Sequence, residues 1–431
     1  MQDIFTKDIK RLLMEQYGIS QGIYELCSQC EQSLSFEFRK IEQIAEYNHY
    51  KVLKAMQENG ISDRHLGSTS GYGYDDIGRD AIERVYAQVF QCEDALVRGS
   101  ILSGTVALAT LLYGILRPGD EIVAVTGKPY DTLEGIIGIK EVENNGSLKD
   151  FGISYKQVDL LENSQVDFDG IAKAITPKTT MAMIQRSKGY AFRPAFSIDT
   201  IEKIVKTVKS VNPNCIVMCD NCYGEFVETR EPTQVGVDIM AGSLIKNPGG
   251  GIAQNGGYIA GRKDLVARAA DRYSAPGLGK HVGATLGSNR WIMQGFYMAP
   301  HVVSQAIKGA VLMAAIMEQE GYETCPRSRD HRADIVQAIK FGSPDTLRAF
   351  CASIQAAAPV DSFVVPEEWD MPGYEDQVIM AAGAFVQGSS IELSSDGTMT
   401  PPYIAYMQGG LIYENVKLAC MLAVKKLRSL K

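Results

Sequence analysis

Four short stretches of this sequence hold residues that can do chemistry. Ser103-Gly104-Thr105 opens an apolar run, GTVALATLLYGI, with helical character. Backbone N–H groups at a helix N-terminus, with the helix dipole behind them, bind anions, and flanking hydroxyls add donors. The same triplet also reads as an ordinary helix cap. Tyr130, in GKPYDTLEG just past the segment EIVAVT, offers an aromatic face to a planar ligand or packs at a strand end. Asp220-Asn221 follows the apolar run CIVMC, which puts a carboxylate at a strand end, as a ligand group or a turn cap. Lys246 follows GSLI and precedes the glycine-rich NPGGGIAQNGG. A partly desolvated lysine is expected to have a lowered pKa, and its neutral amine attacks aldehydes. Taken alone, it reads as a snorkelling surface lysine.

The order of the four decides between these readings. An anion site, an aromatic platform, a strand-end carboxylate and, 26 positions later, a lysine are the parts that pyridoxal phosphate (PLP) requires. The anion site holds the phosphate and Tyr130 stacks on the ring. Asp220 keeps the pyridine nitrogen protonated, and Lys246 bonds the aldehyde.

The elements around these stretches suit that assignment. Residues 1–60 carry helical spacing, and the polar, glycine-rich 62–80 reads as a long loop of the kind that often carries function. From about 100 to 261, strands at 121–126, 153–158, 179–185, 215–220, 238–245 and 257–261 alternate with helices at 104–115, 131–141, 168–175 and 198–210. Such alternation predicts an α/β fold with a mainly parallel sheet covered on both faces and ligands beyond the strands' carboxyl ends. After about 300 the expectation is a helix over 301–319, strands at 361–365, 377–381 and 391–394, and a closing helix over 411–428. The expected organisation is therefore an N-terminal helical segment, 1–65, a large cofactor-binding domain, 66–300, and a smaller C-terminal α/β domain, 301–431.

Composition narrows the function classes. The chain has 431 residues, 45% of them hydrophobic and 22% charged, with a formal net charge of −8. That balance disfavours nucleic acid as a partner. The N-terminus lacks the apolar core of a signal peptide and no run of 18 apolar residues occurs, so a cytoplasmic protein with no membrane span is expected. Its nine cysteines are then expected to be reduced thiols. The pairs Cys27–Cys30 and Cys219–Cys222 have CxxC spacing, but one sits in a helical region and the other in an apolar strand, so no metal is expected.

Ser103-Gly104, Tyr130, Asp220-Asn221 and Ser243-Leu244-Ile245-Lys246 resemble, in identity and order, the site of fold-type I PLP enzymes, and within them the cystathionine and methionine lyases. The longer strings STSGYGYDDIGRD, PYDTLEGIIG, QRSKGY, DNCYGEFVE, AGSLIKNPGGG, MPGYEDQVIMA and YMQGGLIYE resemble the bacterial methionine gamma-lyase family, also called aluminium-resistance proteins. The resemblance implies a seven-stranded large domain and a carbon–sulfur lyase. Its substrate would be a sulfur-containing amino acid of the cystathionine, methionine or cysteine type, cleaved by α-proton abstraction and β- or γ-elimination. It also implies that Gly104, Thr105 and Ser243 hold the phosphate. Tyr72 and Tyr74 fall where the lyases carry a Tyr-x-Arg that reaches the neighbouring subunit's phosphate, which implies a homodimer or homotetramer with the active site at the subunit interface. Three positions depart from the pattern: Tyr74 replaces that arginine, Val106 replaces a histidine, and Thr400 stands where a basic residue is expected. Arg98, Arg186 and Arg193 are then the candidates for gripping a substrate carboxylate. Alternatives are another fold-type I reaction, of the aminotransferase or aldolase type, and a PLP-binding stress-response protein with little turnover.

Overall fold

The computed structural model describes residues 2–140, 145–371 and 376–431, with 2–5 as backbone only. Residue 141 of the expected helix and 372–375 of the MPGYEDQVIMA string lie outside the described residues. The chain divides into two compact units. One comprises residues 46–189 and 194–301, the other 1–45, 190–193 and 302–431.

The first unit is built on a seven-stranded sheet. Its strands are β1 (Asp94–Arg98), β2 (Glu121–Ala124), β3 (Ser154–Gln157), β4 (Thr179–Gln185), β5 (Ile216–Asp220), β6 (Ile239–Ser243) and β7 (Gly257–Gly261), in the spatial order β1-β7-β6-β5-β4-β2-β3. All run parallel except β7, which pairs antiparallel with both β1 and β6. Strands β5, β6 and β7 are buried along their whole length, which is why their sequences are continuous apolar runs and not alternating ones.

Helices cover both faces. Helix Gly104–Ile115 packs against helix Lys263–Tyr273 so closely that a Cβ on Gly114 would lie 2.9 Å from the Ala269 Cα. Leu108, Leu111, Leu265 and Ala269 join Met181, Met218, Ile239 and Ile259 of the sheet in one apolar core. A second, aromatic cluster joins Tyr86, Phe90, Phe226, Tyr258 and Phe296, with Tyr86 stacked on Phe296 at 3.8 Å. Helix Ile198–Val211 buries Ile198, Ile201, Ile204, Val205 and Val208 along one stripe, and its N-cap Ser197 accepts a hydrogen bond from the Thr200 N–H.

The other unit holds a six-stranded antiparallel sheet, β8 (Glu323–Cys325), β9 (Gln337–Lys340), β10 (Glu368–Trp369), β11 (Val378–Ala381), β12 (Ser394–Thr398) and β13 (Ile404–Gln408), with helices Pro344–Ala357 and Tyr413–Arg428.

Several expectations need correction. Residues 1–65 are not a segment of their own: helix Gln21–Ser33 joins the C-terminal unit, where Glu31 accepts from Tyr413 Oη at 2.8 Å and Lys417 Nζ at 2.6 Å. The loop over 62–80 ends earlier, because the Asp76 side chain accepts from the Arg79 N–H and starts a helix at Ile77. Residues 361–365 form no strand, and Phe363 there is 84% exposed. The apolar 391–393 precedes β12, which starts at Ser394. The helix expected from 301 starts at Ser288. Among the described residues this one helix is long and apolar enough to cross a membrane, and 78% of its most apolar window is buried.

Candidate active site

The site grows from the carboxyl ends of β4, β5 and β6, where Gln185, Asp220 and Ala241 stand in register. Parallel strands under helices leave a crevice at that edge. Asp220 is the last residue of β5 and is buried. One carboxylate oxygen, Oδ1, accepts the Cys222 N–H at 3.0 Å. Burial pushes this carboxyl above its ordinary range, while the charge of Lys246 and the Cys222 N–H hold it down.

Asn221 is fixed from behind. Its backbone N–H donates to the Ala241 carbonyl at 3.0 Å, its Oδ1 accepts from Arg186 Nη1 at 2.8 Å, and its Nδ2 donates to Glu231 Oε2 at 3.1 Å. The turn that follows is tight. Tyr223 and Phe226 both adopt left-handed backbone, with φ of 72° and 63°, a conformation that costs a non-glycine residue energy and is over-represented at working sites. At Gly224 a Cβ would sit 2.5 Å from the Arg186 guanidinium, so only glycine fits.

Lys246 lies three residues beyond the end of β6, half-buried, with its ammonium 4.0 Å from the centroid of the Tyr223 ring. Its pKa is not lowered as expected. Burial alone would push it down, but the acidic groups Cys222, Tyr223, Asp220 and Glu225 more than offset that and hold it above the usual lysine value. Desolvation loses here because the lysine is buried beside a cluster of acidic groups, the Cys222 thiol and Tyr223 phenol foremost.

Gly104 brings the helix start to the same place. A Cβ there would come within 3.1 Å of the Ser243 Cβ and 3.2 Å of the Cys222 Sγ, so the first turn touches the ends of β5 and β6 through a gap kept open by glycine. Ser103 is the N-cap and accepts the Val106 N–H at 3.2 Å; the plain-cap reading therefore holds alongside the anion-site one. Thr105 bonds Thr132 at 3.0 Å, linking this turn to the helix Asp131–Ile137, whose N-cap residue is Tyr130. A Cβ on Gly189 would lie 3.1 Å from Gln185 Nε2 and 3.4 Å from the Tyr130 ring, which places that ring by the end of β4. Ser103, Gly104, Thr105, Tyr130, Asp220, Asn221, Ser243 and Lys246 are thus one neighbourhood.

That neighbourhood fits PLP: a glycine-opened helix start, a strand-end carboxylate, aromatic rings and a lysine stand at one sheet edge.

The remaining candidates sit differently. Tyr72 and Tyr74 are 72% and 60% exposed and stack on each other at 5.5 Å. Their loop is tied to the rest of the unit by hydrogen bonds. Asp76 accepts from the Thr69 and Thr285 hydroxyls at 2.5 and 2.6 Å, and Arg79 donates to the Gly73 carbonyl at 2.7 Å. Arg98 is buried in an ion pair with Glu83. Arg186 is fully buried against Glu228 at 2.8 Å and Glu231 at 3.6 Å. Arg193 belongs to the other unit, where burial lowers its pKa to about 10 against the pull of Asp334. Sequence reasoning missed Cys222, Tyr223, Glu225 and Tyr258. The acidic residues inside the apolar string NCYGEFVE were the available signal.

The sheet order and this site define the class: the fold is that of the fold-type I PLP-dependent enzymes. The chain belongs to the methionine gamma-lyase family, whose family model matches residues 23–428. It is 52% identical over 389 residues to the YnbB protein of Bacillus subtilis, itself named as uncharacterised, covering 90% of this chain and 92% of that one. A carbon–sulfur lyase involved in aluminium resistance from Clostridium novyi NT superposes with a TM-score of 0.93 at 47% identity, over 97% of this chain and 98% of that one. The PLP-dependent protein YhfS of Escherichia coli shares the fold, with a TM-score of 0.58 at 15% identity over 89% of this chain and 97% of its own.

Proposed function

We propose that this protein is a PLP-dependent carbon–sulfur lyase acting on a sulfur-containing amino acid of the cystathionine, methionine or cysteine type. The observation that carries the reading is the placement of Lys246 beside Asp220 at the end of β5, with the Gly104 helix start against Ser243. PLP supplies an electron sink for the carbanion left when the α-proton departs. Gly104, Thr105 and Ser243 hold the phosphate by backbone and hydroxyl donors. Asp220 keeps a proton on the ring nitrogen, and its burial makes the pairing strong. Tyr130 orients the ring plane. Lys246 would hold the cofactor at its aldehyde, and its Nζ would carry the α-proton. A lysine or tyrosine then protonates the departing sulfur.

We extend the proposal to a cytoplasmic homodimer or homotetramer. Its support is the exposed Tyr72–Tyr74 stack, at the position where the resemblance to the lyases implies a contact with a neighbouring subunit. A second reading, a PLP-binding protein with little turnover, draws on the engagement of Arg98 and Arg186 in ion pairs and on Thr400.

The test begins with the visible spectrum. The purified protein should show a yellow band that Lys246→Ala abolishes; a colourless protein that takes up no added PLP overturns the reading. Incubation with cystathionine, methionine and cysteine should then release thiol and keto acid. Cofactor binding without turnover on a broad amino-acid panel would favour the second reading.

A further inference from the structure

Behind the lysine lies an acidic group that the mechanism above does not use. Glu225 is fully buried. Its Oε1 accepts a hydrogen bond from Tyr258 Oη at 2.8 Å, and its Oε2 is buried with no partner. The chain has made room for this pair: a Cβ on Gly242 would stand 2.6 Å from Glu225 Oε1 and 2.8 Å from Tyr258 Oη. Its backbone is tied to the lysine segment, since Asn247, the residue after Lys246, donates from Nδ2 to the Glu225 carbonyl at 2.9 Å.

We propose that Glu225 is a positioning residue that governs the proton affinity of Lys246 from behind the site. The groups facing the pair come from several elements: Tyr258 on β7, Tyr86 on helix Ile77–Val89, Glu231, Cys219 and Asp220 on or after β5, and Cys222 with Tyr223 in the turn. Among these the cation is Lys246. The Arg186 guanidinium faces Glu231 and is spent on Glu228 and Glu231. Burial raises the Glu225 carboxyl to about 8, against the Tyr258 hydrogen bond and the Lys246 charge that pull it down. At neutral pH it therefore holds its proton, and above that pKa it becomes an anion beside Lys246. An anion there stabilises the ammonium, so the fraction of neutral amine stops rising as steeply with pH. When Lys246 gives up its charge, the carboxyl loses a counter-ion and takes up a proton more readily. In a merely structural role, glutamine would serve as well as glutamate.

The experiment uses cofactor-free protein, so it does not depend on the lyase assignment. Lys246 is acetylated with limiting acetic anhydride between pH 6 and 10, and the modified peptide is measured by mass spectrometry. The wild type should show a break in the logarithm of the rate near pH 8. Glu225→Gln should remove the break and raise reactivity above it at least threefold. Identical profiles in the two proteins would overturn the proposal. Should Glu225→Gln fail to fold, Tyr258→Phe keeps the carboxyl but loses its donor, and should move the break to higher pH; an unmoved break overturns the proposal equally. A wild type that shows the break but takes up no added PLP would count against the cofactor assignment and leave the Glu225–Lys246 coupling standing.

Discussion

Arg186 and Asn221 meet in a 2.8 Å hydrogen bond that joins the end of β4 to the residue after Asp220. The guanidinium is fully buried and also neutralises Glu228 and Glu231. It works as a brace for the Asp220 turn. Arg186→Met removes the guanidinium that Glu228 and Glu231 share. The expected loss is about 3–5 kcal/mol, the usual cost of breaking a buried pair from one side. Chemical denaturation measures it, and Arg186→Lys should recover little because a point charge cannot serve three acceptors.

Asp220→Asn keeps the shape of the strand end and removes the charge. The protein should still bind PLP, with turnover down about a hundredfold, within the range that positioned proton-handling groups contribute. Parallel kcat and spectral measurements separate loss of chemistry from loss of cofactor.

The loop carrying Tyr72 and Tyr74 should fail in acid before the sheet does. Burial opposes ionisation of Asp76, yet hydrogen bonds from the Arg79 N–H, Thr285, Thr69 and Asn289 bring its pKa down to about 2. Its folded value lies below the unfolded one, so its stabilisation is complete above about pH 4 and is lost as pH falls towards 2. Asp76→Asn should flatten that part of the stability profile, and Asp76→Ala should cost about 1–2 kcal/mol through the lost helix cap. Urea midpoints from pH 2 to 5 check both.

Gly242→Ala puts a methyl 2.6 Å from both Glu225 Oε1 and the Tyr258 ring. Overpacking of this kind costs about 1–3 kcal/mol. A thermal melt reads the loss, and Gly242→Ala combined with Glu225→Ala should restore part of it.

Two exposed, stacked aromatic rings side by side are unusual on a surface that stays wet. Tyr72→Ala with Tyr74→Ala should lower the molar mass in light scattering at micromolar concentration without unfolding the chain. An unchanged mass would remove this loop from any subunit contact.

How much of this was written in the sequence differs from element to element. Strands β4 and β7 and helix Gly104–Ile115 start and stop where their apolar runs meet turn residues, because burial and turn chemistry act locally there. The reversed direction of β7 was not legible in its own residues, since GYIAG suits either direction; the signal was the connection from β6, which contains no α-helix. The segment 361–365 looked like a strand, yet no neighbouring strand pairs with it. Asp220 and Lys246 stood out as polar residues at the ends of apolar runs. Glu225 and Tyr258 did not, because their partnership exists only after β7 folds back beside β6. The arginines show the same limit: a guanidinium in the sequence does not reveal the carboxylates already waiting for it.

That backward strand also bears on how the molecule comes to be made. β6 and β7 are hairpin partners, with Ser243 paired to Gly257, and Lys246 sits in the stretch between them. Closing so short a stretch costs little chain entropy, whereas each helical crossover elsewhere in the sheet must close a longer one. The lysine's scaffold can thus form early, while β1, nearly 160 residues upstream, is still finding its place at the far side of β7. A newly made chain would hold Lys246 in position before the rest of the pocket exists to receive anything.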